Sequence, residues 1–345
     1  GHLYKVNSFD FHRFEDTIKL ADDPDYNQTA FEGMLEIKGD SDHIKLIEML
    51  DALNDDAQKI DDVLDTYFDT ENLVYWMAFQ ILTGNCDTQN RNCYLYSPLN
   101  SKVWYILDWD NDGMLRKLEL SLTGFSDYAS WERGVSNYWG NVLFNRALRS
   151  KSFRSELDSA VKDLRSYLTE ERLSKMVEHY REVTEPLVFA APDLENLPVT
   201  KDEYKQIAAA IPSEIEENYK SYRESYKKPM PFYIGVPQID NGKLRVNWDA
   251  SYDFKARDIR YTVELARDYA ITDVIFKAED VLLPEVTCDA PDTGQYFVRV
   301  RATNSDGYTQ DAFDYYVTDG GKQYGMKCFY VQDGGKVVED TYEEG

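Results

Sequence analysis

Five side chains between residues 87 and 112 have the types and spacing for chemistry with a divalent cation. Asp87 and Asn92 form a D-x-x-x-x-N pair, and three acids alternate in Asp108-Trp109-Asp110-Asn111-Asp112. A carboxylate and a carboxamide held on one short loop can divide two tasks. The carboxylate faces an acceptor oxygen and takes its proton, while the amide oxygen turns back toward a metal. A further metal ligand must then come from a neighbouring strand, so that it closes on the same ion. The acidic run also fits another pattern: Asp108, Asp110, Asp112 and Gly113, with Glu119 at the twelfth position, match a calcium loop of the EF-hand type. Such a loop needs a helix in front of it. A solvated turn after a strand is the plain alternative for the same acids.

The elements around these residues are readable. Glu71 to Thr83 is apolar on nearly every side, through Leu73, Val74, Trp76, Met77, Phe79, Ile81 and Leu82. With Asp69 or Thr70 as N-cap and Gly84 just past the end, it reads as a buried helix. A polar loop with Asn85, Asp87, Asn90 and Asn92 follows. Cys93–Tyr96 and Lys102–Leu107 then flank Ser97-Pro98-Leu99-Asn100-Ser101, which predicts a β-hairpin. Its second strand runs straight into the acids.

Buried helix, loop, hairpin and acidic strand exit follow one another as in the C-terminal lobe of a protein kinase. The matching residues are Gly84-Asn85-x-Asp87, Asn92-x-Tyr94-x-Tyr96 and an Asp-x-Asp pair after the hairpin, continuing into the helical run Asn141–Val188. On these the chain resembles the CotH kinase family of bacterial spore-coat and surface proteins, over roughly its first two-thirds. The resemblance implies an atypical protein kinase that moves the γ-phosphoryl group of ATP, with Mg2+, to Ser or Thr of a secreted or coat protein. It implies an extracellular, cell-surface or spore-coat location. By the same resemblance Asp87 matches the catalytic Asp, Asn92 an Mg2+ ligand beside the nucleotide, and Asp110 the principal Mg2+ ligand. The family has one Asp-x-Asp pair here, whereas this chain offers Asp108 with Asp110 or Asp110 with Asp112. In a kinase, residues 113–137 would be the activation and substrate segment; an ordinary surface loop is the alternative. Arg116 and Lys117 read as surface charge, with phosphate contact as the other reading.

The chain has 345 residues, too many for one ordinary core, so two or more domains are expected. Net charge is −25, which repels nucleic acid and anionic membranes and attracts a basic protein substrate; a Ser/Thr-rich one is what the resemblance implies. The same charge also serves plain solubility. Cys86, Cys93, Cys288 and Cys328 show no zinc spacing and read as free thiols. His2, His12, His43 and His179 have no ligand spacing. No apolar run is long enough for a membrane helix. No signal peptide opens the chain; Gly1 fits a tag remnant, so removal of an upstream targeting segment is expected. No Gly-rich loop and no Lys-bearing strand with a partner Glu precede the buried helix, so much of a kinase N-lobe is expected to be missing.

Leu3–Val6 reads as a strand, and a second is expected within Phe31–Ile37. Asp40 or Ser41 is expected to cap a helix through Leu53. Two or three amphipathic helices are expected over 138–188, then Lys201–Ile211 and Ser213–Tyr226 with Pro212 breaking or kinking the pair. Pro229–Pro237 reads as a linker. Beyond it the apolar period becomes two, in Leu244-x-Val246-x-Trp248, Tyr261-x-Val263-x-Leu265 and Tyr296-x-Val298-x-Val300-x-Ala302. Short strands at such spacing argue for a β-sandwich. With Trp248 as a core Trp and Tyr296 as a tyrosine corner, residues 232–318 resemble a fibronectin type III domain, which implies a spacer or adhesion module. Residues 319–345 read as a last hairpin and tail.

The expected fold class is therefore α+β: a kinase-like, mostly helical lobe over 1–228, then an all-β sandwich, in a monomer. The expected function is protein Ser/Thr phosphorylation. The rivals are a non-catalytic surface scaffold and a calcium-binding surface module at Asp108–Glu119.

Overall fold

The computed structural model describes residues 1–118, 122 and 129–340. Its backbone divides into two compact units: Gly1–Gly124 with Arg133–Tyr222, and Phe125–Glu132 with Arg223–Gly345.

The first unit is built around one buried helix, α4 (Thr70–Thr83). Asp69 caps its start, the carboxylate accepting from the Asn72 N–H at 2.9 Å. Gly84 ends it in the left-handed conformation, at φ 67°. There the Gly84 N–H reaches the Ile81 carbonyl and the Asn85 N–H reaches the Gln80 carbonyl at 3.0 Å, the paired bonds of a Schellman motif. Between the caps, Leu73, Val74, Trp76, Met77, Ile81 and Leu82 are buried. Trp76 stacks on Phe144, with ring centroids 5.6 Å apart.

In chain order this unit holds β1 (His2–Val6), α1 (Gln28–Met34), β2 (Leu35–Ile37), α2 (Ile44–Asn54), α3 (Ile60–Tyr67) and α4. The hairpin β3 (Cys93–Ser97) and β4 (Tyr105–Asp108) follows, then α5 (Val142–Arg149), α6 (Lys151–Tyr167), α7 (Glu170–Val188) and α8 (Lys201–Ser225), the last running to the boundary between the units. The strands form one antiparallel sheet in the order β2-β1-β3-β4, with Val6 opposite Cys93 and Cys93 opposite Asp108. Three local expectations differ. Phe31 lies on a helix, and the strand begins only at Leu35. Helix α2 starts at Ile44, where the Asp42 carboxylate accepts the Ile44 N–H at 3.0 Å, so neither Asp40 nor Ser41 is its cap. Pro212 sits inside one continuous helix, at the cost of a single backbone hydrogen bond.

The second unit has two facing sheets. One runs β15-β14-β10-β7-β8, with β11 also on β10; the other runs β5-β6-β9. The strands are β5 (Gln238–Asp240), β6 (Lys243–Asn247), β7 (Ile259–Ala266), β8 (Val274–Val281), β9 (Glu285–Asp289), β10 (Gly294–Asn304), β11 (Thr309–Asp311), β14 (Met326–Val331) and β15 (Val337–Glu339), with a separate hairpin β12 (Tyr315–Thr318) and β13 (Gly321–Tyr324). Leu244 and Val246 from one sheet and Val263, Val298 and Val300 from the other share one core. Two expectations are corrected here. Phe232 and Ile234, in the stretch read as a linker, are 2% exposed and belong to that core. The hairpin read past residue 318 does form, as β14 with β15, but it is not separate: β14 also pairs with β10, in register from Gly294–Val331 to Arg299–Met326. Trp131 also belongs to this unit, edge-on to Phe313 at 5.0 Å.

Candidate functional site at the end of the buried helix

Helix α4 positions both halves of the site. At its first turn, Asn72 acts as a strand edge: its Oδ1 accepts the Ile106 N–H at 2.8 Å and its Nδ2 donates to the Ile106 carbonyl at 3.1 Å. Strand β4 is thereby fixed to the helix just before the acids. Two turns further on, Gln80 is fully buried, and its Nε2 donates to Asp108 Oδ1 at 2.8 Å and to Asn111 Oδ1 at 3.2 Å. Beyond the helix end, Asn85 is buried; its Nδ2 donates to the same Asn111 oxygen at 3.3 Å, and its Oδ1 accepts the Asp87 N–H at 3.3 Å.

Asp87 and Asn92 meet directly. The Asn92 Nδ2 donates to Asp87 Oδ2 at 2.8 Å and to the Asp87 carbonyl at 3.2 Å. Asn92 has φ 57°, a left-handed conformation that asparagine tolerates better than most residues. Donation through Nδ2 leaves its Oδ1 turned away from Asp87. The Arg91 guanidinium lies 3.7 Å from the other Asp87 oxygen.

The three acids part company. Asp108 ends β4 and is taken up by Gln80. Although the residue as a whole is exposed, desolvation at its carboxylate pushes the pKa up, against the Gln80 hydrogen bond that lowers it. Asp110, at φ 54°, turns the chain, and a short 3-10 turn Asn111–Gly113 follows. That turn comes back against the loop: a Cβ on Gly113 would stand 3.4 Å from Asp87 Cβ and 2.9 Å from Asn85 Oδ1. Asp110 and Asp112 are exposed and lie within electrostatic reach of Asp87. Burial raises the Asp87 pKa, Arg91 and Asn92 pull it down, and Asp112 and Asp110 push it up again. Asp87, Asn92, Asp110 and Asp112 are thus brought to one place, and Asp108 is drawn off toward α4.

The donor set is all oxygen, which suits a hard cation such as Mg2+. Among the described residues, no group of three acidic, histidine or cysteine side chains is gathered closely enough to hold an ion. Mg2+ does not require one, since it is commonly held by one or two carboxylates with water and substrate phosphates. The EF-hand reading fails on its flank: the residues before Asp108 are strand β4, with no entering helix. Glu119 lies outside the described residues, as do Thr123–Ser126. Lys117 pairs with Glu217 on α8.

Gln80 and Asn111 were not singled out from sequence. A signal was present for Gln80, an uncharged amide inside an apolar helical run, since a buried amide must find partners. None of the four cysteines is disulfide-bonded, and burial pushes the Cys93 thiol up to about 12. Among the described residues no helix is long and apolar enough to cross a membrane.

No curated protein matches the chain significantly. Among solved structures, the twitchin kinase region from C. elegans is similar at 17% identity and a TM-score of 0.21, over 28% of this chain and 20% of that one. This likeness spans a fifth of that structure and carries no argument about fold or activity. The profile described as CotH kinase protein matches residues 1–223, well over half of the sequence and including every residue of the site. The chain belongs to the CotH kinase family.

Proposed function

We propose that this protein transfers the γ-phosphoryl group of ATP to Ser or Thr hydroxyls of a secreted or coat protein, at the site formed by Asp87, Asn92, Asp110 and Asp112. One observation carries the reading. The D-x-x-x-x-N loop and the acidic turn, separate in sequence, meet side by side, with Gly113 against Asp87 and two carboxylates in its field. Asp87 orients the acceptor hydroxyl and takes its proton as the oxygen attacks phosphorus and the bond to ADP breaks. The Asn92 Oδ1 and the carboxylates of Asp110 and Asp112 would hold Mg2+, with Asp108 left to anchor the strand exit. When bound, that ion neutralises charge on the transferred group. A basic substrate suits the net charge of −25, and a Ser/Thr-rich one suits the proposed transfer to hydroxyls. The same composition speaks against nucleic acid. An extracellular, cell-surface or coat location follows from the family alone.

The second unit is read as a fibronectin type III-like module. Two features support this: the Tyr296 hydroxyl donates to the Asp292 carbonyl at 3.0 Å, as a tyrosine corner does, and buried Trp248 packs edge-on to Tyr261.

Incubating the full chain with Mg·ATP and a basic Ser/Thr-rich protein, and following phosphate on the acceptor, tests the activity. Asp87→Asn is expected to reduce transfer by about 100-fold or more, and Asp110→Asn to reduce transfer and raise the Mg2+ concentration it requires. Transfer undiminished in both variants would overturn the assignment.

A further inference from the structure

We propose that Gln80, Asn85 and Asn111 form a relay of amide side chains that sets the separation between Asp87 and the acidic turn, and so tunes the affinity of the site for its cation. None of the three touches the reacting atoms; they are positioning residues. The inference rests on the proposed metal-holding role of Asp110 and Asp112.

The relay is defined by shared atoms. Asn111 Oδ1 is the common acceptor for Gln80 Nε2 at 3.2 Å and Asn85 Nδ2 at 3.3 Å. Asn111 lies between Asp110 and Asp112, so fixing its side chain fixes the turn that presents both. Asn85 passes the constraint on, its Oδ1 accepting the Asp87 N–H. Gln80 acts at both ends: its backbone carbonyl accepts the Asn85 N–H, and its side chain holds Asp108 and Asn111. The orientation of the Gln80 amide is dictated by its neighbours. Reversed, it would set its oxygen against a carboxylate oxygen and an amide oxygen. The cost of the observed orientation is a buried Oε1 with no hydrogen-bond partner. A buried amide kept with half its valence unused is paid for in stability. Its side-chain contacts run to the exit of β4 and to the acidic turn, which is where a role in placing ligands would put them. Partners that orient metal ligands commonly matter about as much as the ligands themselves.

The test uses Tb3+ binding to the full chain. It is read as luminescence sensitised by Trp109, the neighbour of Asp110, in enough salt to suppress diffuse binding to the acidic surface. Asp110→Asn marks the site. Asn111→Ala and Gln80→Met are expected to weaken Tb3+ binding by about 10- to 100-fold. Because the two act through one shared atom, the double variant should lose little more than the weaker single. Gln80→Met replaces a partly unsatisfied buried amide by an apolar side chain of similar size, so it should fold even where Asn111→Ala does not, and thermal melting checks this. Folded single variants that bind Tb3+ as wild type does, while Asp110→Asn does not, would overturn the relay and leave the metal site standing. Fully additive losses would also overturn it, since independent effects need no relay. A wild-type chain whose Tb3+ signal is unchanged by Asp110→Asn would overturn both readings.

Discussion

Asp87 carries opposite consequences for activity and for stability. Its folded pKa is raised, first by burial and then by Asp112 and Asp110, so the folded chain holds the proton more tightly than the unfolded chain. The sign follows from linkage: the group costs the fold nothing below the ordinary carboxylate range and its full penalty above the raised value. Asp87→Asn is therefore expected to melt at a higher temperature than wild type at neutral pH, with the difference closing as the pH falls. Melting curves over a pH series check this, and a variant less stable than wild type at neutral pH contradicts it. His43 behaves in the other direction. It is fully buried between the Tyr4 hydroxyl at 2.8 Å and the Tyr26 hydroxyl at 3.2 Å, with Phe31 stacked at 4.2 Å, and burial lowers its pKa from 6.5 against the pull of Asp42 and Asp40, with His2 adding to the lowering. A neutral buried imidazole stabilises fully above the unfolded value, and that contribution is lost as the pH falls below it. The wild-type chain should therefore lose melting temperature more steeply below about pH 6.5 than His43→Gln does. At this scale the sequence was legible where a pattern exists. Asp87 and Asn92 stand out through their spacing and the acids through their alternation. Asn111 does not, because an asparagine between two aspartates looks like any polar turn until its neighbours in space are known.

Among the elements, α4 is the one whose ends matter. Gly84 takes φ 67°, and a Cβ there would stand 2.6 Å from the Asn218 side chain, whose Nδ2 donates to the Leu82 carbonyl at 3.0 Å. Gly84→Ala is expected to cost about 1–2 kcal/mol through left-handed strain, with the added displacement of Asn218, and to disturb the loop that starts at Asn85. At the other end, Asp69→Ala removes one cap and is expected to cost about 1 kcal/mol while leaving the loop geometry unchanged. Chemical denaturation gives both values, and a larger loss at Asp69 than at Gly84 would reverse this ranking of the two ends. The helix was legible because its apolar run and both caps agree. The hairpin was legible because its turn residues do. The α2 start was misread because the N-cap position falls on His43, which makes no side-chain capping bond, while the residues that favour caps, Asp40 and Ser41, lie just before it. Pro212 was read as a break or kink because a proline's lost hydrogen bond weighs heavily in sequence. In α8 the surrounding helix outweighs it, with Asn218 and the buried Glu214 docked on residues of the first unit.

For the whole molecule, charge weighs most. Acidic side chains outnumber basic ones by 63 to 38, so self-repulsion opposes compaction at neutral pH. Added monovalent salt is expected to raise the melting temperature, because screening weakens repulsion between exposed acids more than it weakens partly buried pairs such as Asp253–Arg257. A melting temperature that falls with salt would mean that exposed ion pairs outweigh the repulsion. The division into an α+β part and an all-β part was legible from the change of apolar period near Pro229. The boundaries were not. Phe232 and Ile234 sit among prolines, and β14 pairs with a strand far back in sequence, so local pattern reveals neither. Strand β1 has one further consequence. It lies between β2 and β3, sets Val6 opposite Cys93, and is followed by the Phe9 N–H donating to the Asn90 carbonyl at 2.8 Å. The opening ten residues thus brace the loop from behind. Deleting residues 1–10 would slacken Asn90, and with it the proposed ligand Asn92, with no substitution in the loop itself.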